Sequence, residues 1–235
     1  MKTIFLGTSS GTPTKTRNVS AYAVTEEQSK DWYLIDCGEG TQHRILHAPV
    51  SLLKLKAIFI THVHGDHCYG LPGLVATAGM LGRTAPLTIV APKGIQEFIQ
   101  AIMIHTDLHI GYEITFLLPE DGMAVFQGTA TNISAIQLSH RVESYGYKFL
   151  ETNMESTLNT NKLMELGIEK GPLWGKLKKG ETVHLKNGDK VYGADFLSYT
   201  RNPRSIVVCG DNDNPELLVQ ACVETDVLIH ESTYT

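Results

Sequence analysis

The stretch FITHVHGDHCYGLPGL, Phe59 to Leu74, places His62, His64, Asp66 and His67 within six residues, directly after an apolar β-like run. A strand can deliver this segment to a sheet edge, where a Gly-containing loop turns. Residues two apart in an extended loop point the same way, so His62 and His64 can share one ion. Asp66 and His67, just beyond the turn at Gly65, can face a neighbouring ion. Imidazole with carboxylate suits zinc, and less exclusively manganese or iron. Two such ions about 3.5–4 Å apart can share a water and lower its pKa. The alternative is a scatter of surface histidines, and the density of ligand types argues against it.

Working outward, short β-rich runs recur along the chain. TIFLG, AYAVT, WYLIDCG, AIFIT, LTIVA and YEITFLL come first, followed by NISAIQLS, YGYKFL, SIVVCG and DVLIHE. Many are bounded by Gly, Asp or Asn, as strands are. Continuous apolar runs such as AIFI and IVV predict strands covered on both faces. Helical patterns lie between them at Glu39–His47, Leu71–Met80, Gly94–Ile104, Thr160–Leu166 and Pro215–Cys222. The mixture predicts a layered α/β architecture with sheet inside and helices outside.

The 235 residues suit one domain, or one domain with an insertion, and 42% hydrophobic content supplies a sizeable core. A formal charge of −5 means that any polyanion would be met by local positive charge or by metal ions. Cys37, Cys68, Cys209 and Cys222 form no CxxC pair and read as reduced thiols. MKTIFLGTSSGT has no signal-peptide h-region, and no run is long enough to span a bilayer. A cytoplasmic protein with no membrane association is the expectation.

From about Glu151 to Lys190 the apolar density falls. Seven lysines (162, 170, 176, 178, 179, 186 and 190) face four acids between Asn161 and Lys190, a local charge of +3. GIEKGPLWGKLKKGE surrounds an exposed-looking Trp174 with turn-forming Gly and Pro. From pattern alone this is either a solvated surface excursion or a functional arm.

HxHxDH after an apolar strand resembles the metallo-β-lactamase fold superfamily, and further motifs make the chain similar to the short bacterial ribonuclease Z family of tRNA 3′-processing endonucleases. FLGTSSGTPTKTRN carries a P-x-K-x-R-N loop at Pro13, Lys15, Arg17 and Asn18. LIDCGEGTQHR, SHRVESYGY, GPLWGKLKKGE, VVCGDN and LIHEST also resemble family segments. The resemblance covers essentially the whole chain. It implies a four-layer αββα metallo-β-lactamase sandwich over 1–235 with an incomplete C-terminal end, and a protruding basic arm at 151–190 that acts as a tRNA-binding exosite.

It also implies roles. His62, His64 and His140 would hold one zinc, Asp66 and His67 a second, and Asp211 would bridge them. Asp66 would accept the proton of the attacking water. Glu231, with His230, falls in a segment like the family's H-E-A-T motif, with Ser232 in place of Ala, and would belong to the proton-transfer network. The residues alone also allow a strand-end His-Glu pair there. His140 and Asp211 each follow an apolar run, and taken singly each reads as an ordinary loop residue. Asp36 is either a turn residue or an acceptor steadying the metal loop. Cys68 reads as a small buried residue. Lys176, Lys178 and Lys179 would contact tRNA phosphates, with Gly171 and Pro172 shaping the arm. Lys15 and Arg17 would lie near the cleavage site. Family members act as homodimers, so a homodimer is expected.

Short family members continue beyond the equivalent of Thr235, with a further His motif and the last histidine ligand of the second zinc. The expectation is therefore an incomplete second site and reduced activity. The leading reading is a zinc-dependent endoribonuclease that removes the 3′ trailer from precursor tRNA. A small-molecule phosphodiesterase or other hydrolase of this fold, and an inactive tRNA-binding or dimerisation module, are the alternatives.

Overall fold

A computed structural model describes residues 1–27, 29–185 and 188–233. Lys186 of the basic segment lies outside the described residues. The chain forms β1 (Lys2–Gly7), β2 (Ala21–Thr25), β3 (Trp32–Ile35), α1 (Thr41–Ile45), β4 (Leu55–Phe59), α2 (Gly65–Cys68), α3 (Leu71–Met80), β5 (Leu87–Val90), α4 (Ile95–His105) and β6 (Ile114–Leu117). There follow β7 (Ala124–Gln127), β8 (Thr131–Leu138) and β9 (Ser144–Glu151). Residues Asn153–Pro203 form a separate compact unit containing β10 (Ser156–Leu158), α5 (Thr160–Glu165), α6 (Pro172–Lys178), β11 (Thr182–His184), β12 (Lys190–Tyr192) and β13 (Leu197–Tyr199). The first unit resumes with β14 (Ser205–Cys209), a 3₁₀ turn at Pro215–Leu218, α7 (Val219–Cys222) and β15 (Val227–Ile229).

In the first unit, strands β1 to β6 form a six-stranded sheet in sequence order, antiparallel through β3 and parallel from β3 to β6. The second sheet has the order β15-β14-β9-β8-β7. Strand alternation divides the apolar residues between two cores. Tyr33, Ile35, Ala57 and Phe59 face Ile133, Ala135, Tyr147, Phe149, Ile206 and Val208 between the sheets. Trp32, Leu34 and Ile58 turn the other way, onto Leu71, Leu74 and Val75 of α3 and onto Ile95 and Ile99 of α4. Beyond the second sheet, Val207 and Cys209 pack with Leu218. The layers are thus αββα, and WYLI is buried at every position because both of its faces are covered.

The strand that feeds the histidine motif is held by aromatic packing. The Phe59 ring lies 5.1 Å from Tyr147, 5.6 Å from Phe149 and 6.1 Å from Phe126, centre to centre. The buried Tyr147 hydroxyl donates to the Ile60 carbonyl at 2.8 Å. Phe59→Ala is expected to cost about 3–5 kcal/mol through lost transfer energy and the cavity left behind. Denaturant unfolding monitored by tryptophan fluorescence would measure it.

The second unit has a core of its own: Leu163, Ile168, Leu177, Val183, Val191 and Phe196. Its limits follow this packing and not the charge pattern of 151–190. The 3₁₀ turn Gly193–Phe196 supplies Phe196, and β13 pairs with β10, so the unit runs on to Pro203. GPLWGKLK, read as turn-forming, is helical, with Pro172 at the first helical position, where its missing N–H costs nothing. Trp174, read as exposed, is half-buried and donates Nε1–H to the Ile168 carbonyl at 3.1 Å. Two more elements differ from expectation. Edge strand β7 is half-exposed and lacks a sustained apolar run. Asp66 and His67, expected just beyond a turn at Gly65, sit on a single helical turn that begins at Gly65. Among the described residues, no helix is long and apolar enough to cross a membrane.

Candidate metal centre

Three strand ends of the first unit build the site. β4 delivers Thr61 to His64, β8 delivers His140, and β14 delivers Asp211. The ends are stitched together by backbone. Tyr145 N–H donates to the Thr61 carbonyl at 2.9 Å, and Gly210 N–H donates to the Tyr145 carbonyl at 3.1 Å. A Cβ at Gly210 would lie 2.5 Å from the Cβ of Thr61, so only glycine lets Asp211 come this close to the histidine loop.

His62, His64, His140 and Asp211 each offer one ligand atom, and these atoms all lie within 4.8 Å of one another. Asp211 faces two ways. Its Oδ2 is 3.7 Å from Nε2 of both His62 and His140, and its Oδ1 is 3.5 Å from Nε2 of His67. Asp66 Oδ2 is 3.4 Å from the same His67 nitrogen. These spacings are long for hydrogen bonds and suit donors arranged around common cations. His62 Nε2 and both ring nitrogens of His140 are buried without a hydrogen bond, an expensive state that a cation would relieve. The residues present therefore fit a metal, with His62, His64, His140 and Asp211 at one position and Asp66, His67 and Asp211 at the next.

Asp36 fixes which nitrogens face the site. It is fully buried, in the left-handed region at φ 57°. Its Oδ1 accepts the Thr61 N–H at 2.8 Å, and its Oδ2 accepts the Thr61 hydroxyl at 3.0 Å and His67 Nδ1–H at 2.6 Å. Having given its proton to Asp36, the Thr61 oxygen accepts from His62 Nδ1 at 3.0 Å. Nδ1–H of both imidazoles is thus tied up behind the site, so that with a cation bound each would turn Nε2 to the centre as the ligand atom. Burial works against a charged His67, but the Asp36 charge and hydrogen bond, aided by Asp66 and Asp211, outweigh it and lift its pKa to about 10. The site is electrostatically prepared for positive charge at that point. Burial, followed by repulsion from His67, His64 and His140, pushes His62 down to about 2, so it stays a neutral ligand. The neighbouring His67 holds the Asp66 carboxyl well below the usual range. Burial raises that of Asp211.

Asp66 also accepts the Gly11 N–H at 2.9 Å, which brings the P-x-K-x-R-N loop over the centre. The Asn18 carbonyl closes this loop by accepting from Thr8 and Ser9, both at 2.8 Å, and the Asn18 side chain donates to the Glu39 carbonyl at 2.8 Å. Arg17 lines the adjoining cleft, while Pro13 and Lys15 are exposed on the loop and do not line it. The cleft consists of two joined cavities of about 630 and 690 Å³ that share Ser10, Asp66, Asp211, His230 and Glu231. Glu231 accepts the Asn212 N–H at 2.8 Å and the Thr233 hydroxyl at 2.6 Å, and His230 Nδ1 donates to the Glu231 carbonyl at 2.7 Å. In the second unit, Gly171, Pro172, Lys176, Lys178 and Lys179 are all exposed.

Sequence reasoning missed Thr61, Gly11 and Asn212. Each acts through a partner remote in sequence, and no spacing signals it. Cys68 is no ligand: it is buried, its thiol donates to the Val63 carbonyl at 3.5 Å, and burial raises it to about 12.

An αββα sandwich with His and Asp side chains from three strand ends converging on a metal centre defines a metal-dependent hydrolase of the metallo-β-lactamase fold. Known proteins narrow the class. A ribonuclease Z from Pseudomonas putida (strain GB-1) is 51% identical over 235 residues, which is 100% of this chain and 73% of that protein. The crystal structure of the short form of human tRNase Z (ELAC1) matches 100% of this chain and 79% of its own, with a TM-score of 0.70 and 25% identity. YhfI of Bacillus subtilis, a metallo-β-lactamase fold protein, shares the fold at TM-score 0.61 and 15% identity, over 96% of this chain and 69% of its own. A family model described as anti-Pycsar protein Apyc1 matches residues 1–109. The chain belongs to the ribonuclease Z family, whose members are metal-dependent nucleases of this fold.

Proposed function

We propose that this chain is a zinc-dependent endoribonuclease that cuts precursor tRNA 3′ of the discriminator base, releasing the trailer and leaving a 3′-hydroxyl on the tRNA. One observation supports this above the others. Asp211 turns one oxygen toward His62 and His140 and the other toward His67, so a single carboxylate serves two neighbouring cation positions. Divalent ions held there by His62, His64, His140, Asp66, His67 and Asp211 would supply positive charge against the phosphoryl oxygens and would lower the pKa of a bound water. The protein's own groups do the rest. Asp66, at the edge of the second position and fixed by the Gly11 N–H, would take a proton from the attacking water. As the water oxygen bonds to phosphorus, the bond from phosphorus to the tRNA 3′-oxygen breaks, and the His230–Glu231 pair would relay a proton to that departing oxygen. Asp36 and Thr61 keep the imidazoles in the right tautomer. Exposed Lys176, Lys178 and Lys179 give the second unit a phosphate-binding character. A homodimer in which each arm presents tRNA to the other active site, and a cytoplasmic location with four reduced thiols, complete the reading.

The test is incubation with trailer-bearing precursor tRNA and with bis(p-nitrophenyl) phosphate, each with and without chelator. Cleavage of the precursor at one position, abolished by chelator and restored by zinc, is the expected result. Hydrolysis of the small diester alone would favour a small-molecule phosphodiesterase, and RNA binding without cutting a non-catalytic module. Among the described residues the second position has three ligands, Asp66, His67 and Asp211, all lining one half of the cleft. Dialysis against a mild chelator is expected to remove this ion first, leaving about one zinc per chain by elemental analysis.

A further inference from the structure

We infer that Arg141 binds a phosphate of the RNA strand next to the one being cut, in the half of the cleft that Arg17 does not line. This rests on the reading of the site as an RNA endonuclease. Arg141 is exposed, directly follows His140, and donates Nε–H to Nε2 of His64 at 3.3 Å. A neutral imidazole has one lone pair. If His64 gives that lone pair to a cation, its other nitrogen carries a proton, and Arg141 has no acceptor there, whichever nitrogen is used. Like charge also drives the guanidinium away from the cation. Loading the centre therefore frees an exposed, flexible arginine at its rim. The cavity it lines contains four carboxylates, Asp66, Asp211, Asp213 and Glu231, and Arg141 is the only Lys or Arg among its lining residues. In the companion cavity the only Lys or Arg lining residue is Arg17. A strand crossing the shared residues Asp66 and Asp211 thus meets one guanidinium fork on each side, and such forks match phosphate geometry.

The experiment measures binding of a precursor tRNA to the metal-loaded protein over a salt series, with zinc content determined on the same samples, for wild type, Arg141→Ala and Arg141→Lys. The expected result for Arg141→Ala is affinity lowered about tenfold and a log affinity against log salt slope reduced by about one, with unchanged zinc. Arg141→Lys is expected to keep the slope. Unchanged affinity and slope in Arg141→Ala, with normal precursor cleavage by wild type, would overturn the assignment and leave the endonuclease reading standing. Loss of zinc in Arg141→Ala would also overturn it, making Arg141 a positioning residue for His64. A wild-type protein that neither binds nor cuts the precursor would overturn both.

Discussion

Asp211→Ala is expected to lower precursor cleavage by more than about 10³-fold and to leave the purified protein with little or no zinc. The loss should exceed that at any single histidine. Replacing one imidazole leaves the other position its full set, whereas the Asp211 carboxylate is the one group that faces both, at 3.5–3.7 Å from three different imidazoles. Removing a single electrostatic stabiliser of a transition state typically costs about 10²–10³, and here the variant would lose both cation positions together. Stability should move the other way. Burial raises the Asp211 carboxyl and makes it costly to hold charged without a cation. Without metal, Asp211→Ala is therefore expected to melt no lower than wild type. Elemental analysis, single-turnover cleavage and thermal unfolding in chelator distinguish this from simple misfolding. Cleavage within tenfold of wild type would show that Asp211 does not serve the centre.

The candidate ligands were legible because each stands at the end of an apolar run, and in a layered α/β fold strand ends gather at one rim. His62 and His64 follow AIFI, His140 follows NISAIQLS, and Asp211 follows SIVVCG. The family resemblance supplied the partner assignments that no spacing carries. What stayed hidden has physical reasons. Thr61 looks like a strand-end threonine until Asp36, in a left-handed backbone conformation, reaches across to its hydroxyl. Gly11 acts through its backbone N–H, to which sequence pattern is blind. The second unit was read by charge, and charge marks a surface, so its lysines were found and its core was not. Leu163, Leu177 and Phe196 close that core across a span with no sustained period. Pro172 and Gly175 looked like breaks because the helix they occupy is only seven residues long.

Asp36→Asn tests the tautomer control at nearly constant volume. The wild-type carboxylate is acceptor-only and takes three hydrogen bonds, from Thr61 N–H, the Thr61 hydroxyl and His67 Nδ1–H. An amide must turn its NH₂ toward either the Thr61 N–H or the pair formed by the Thr61 hydroxyl and His67 Nδ1. The first places two donors head to head, since the backbone proton cannot move. In the second, His67 must accept at Nδ1, so its proton moves to Nε2, the atom that faces Asp66 and Asp211. The Thr61 hydroxyl can then point at His62 Nδ1, which moves the proton of His62 to its Nε2 as well. Both imidazoles would then present N–H where a lone pair is needed. Zinc affinity is expected to fall about 10–100-fold, the usual effect of losing a partner behind a metal ligand, with cleavage rescued in part by excess zinc. Asp36→Ala should differ in kind. It leaves three buried donors unpaired, and at about 1–3 kcal/mol for each unsatisfied group it should threaten the fold itself. The two variants therefore separate the roles: Asn reads out in metal titration with the melting temperature largely kept, and Ala in the melting temperature. Equal zinc affinity in Asp36→Asn and wild type would mean that ring orientation, and not proton placement, is what Asp36 supplies.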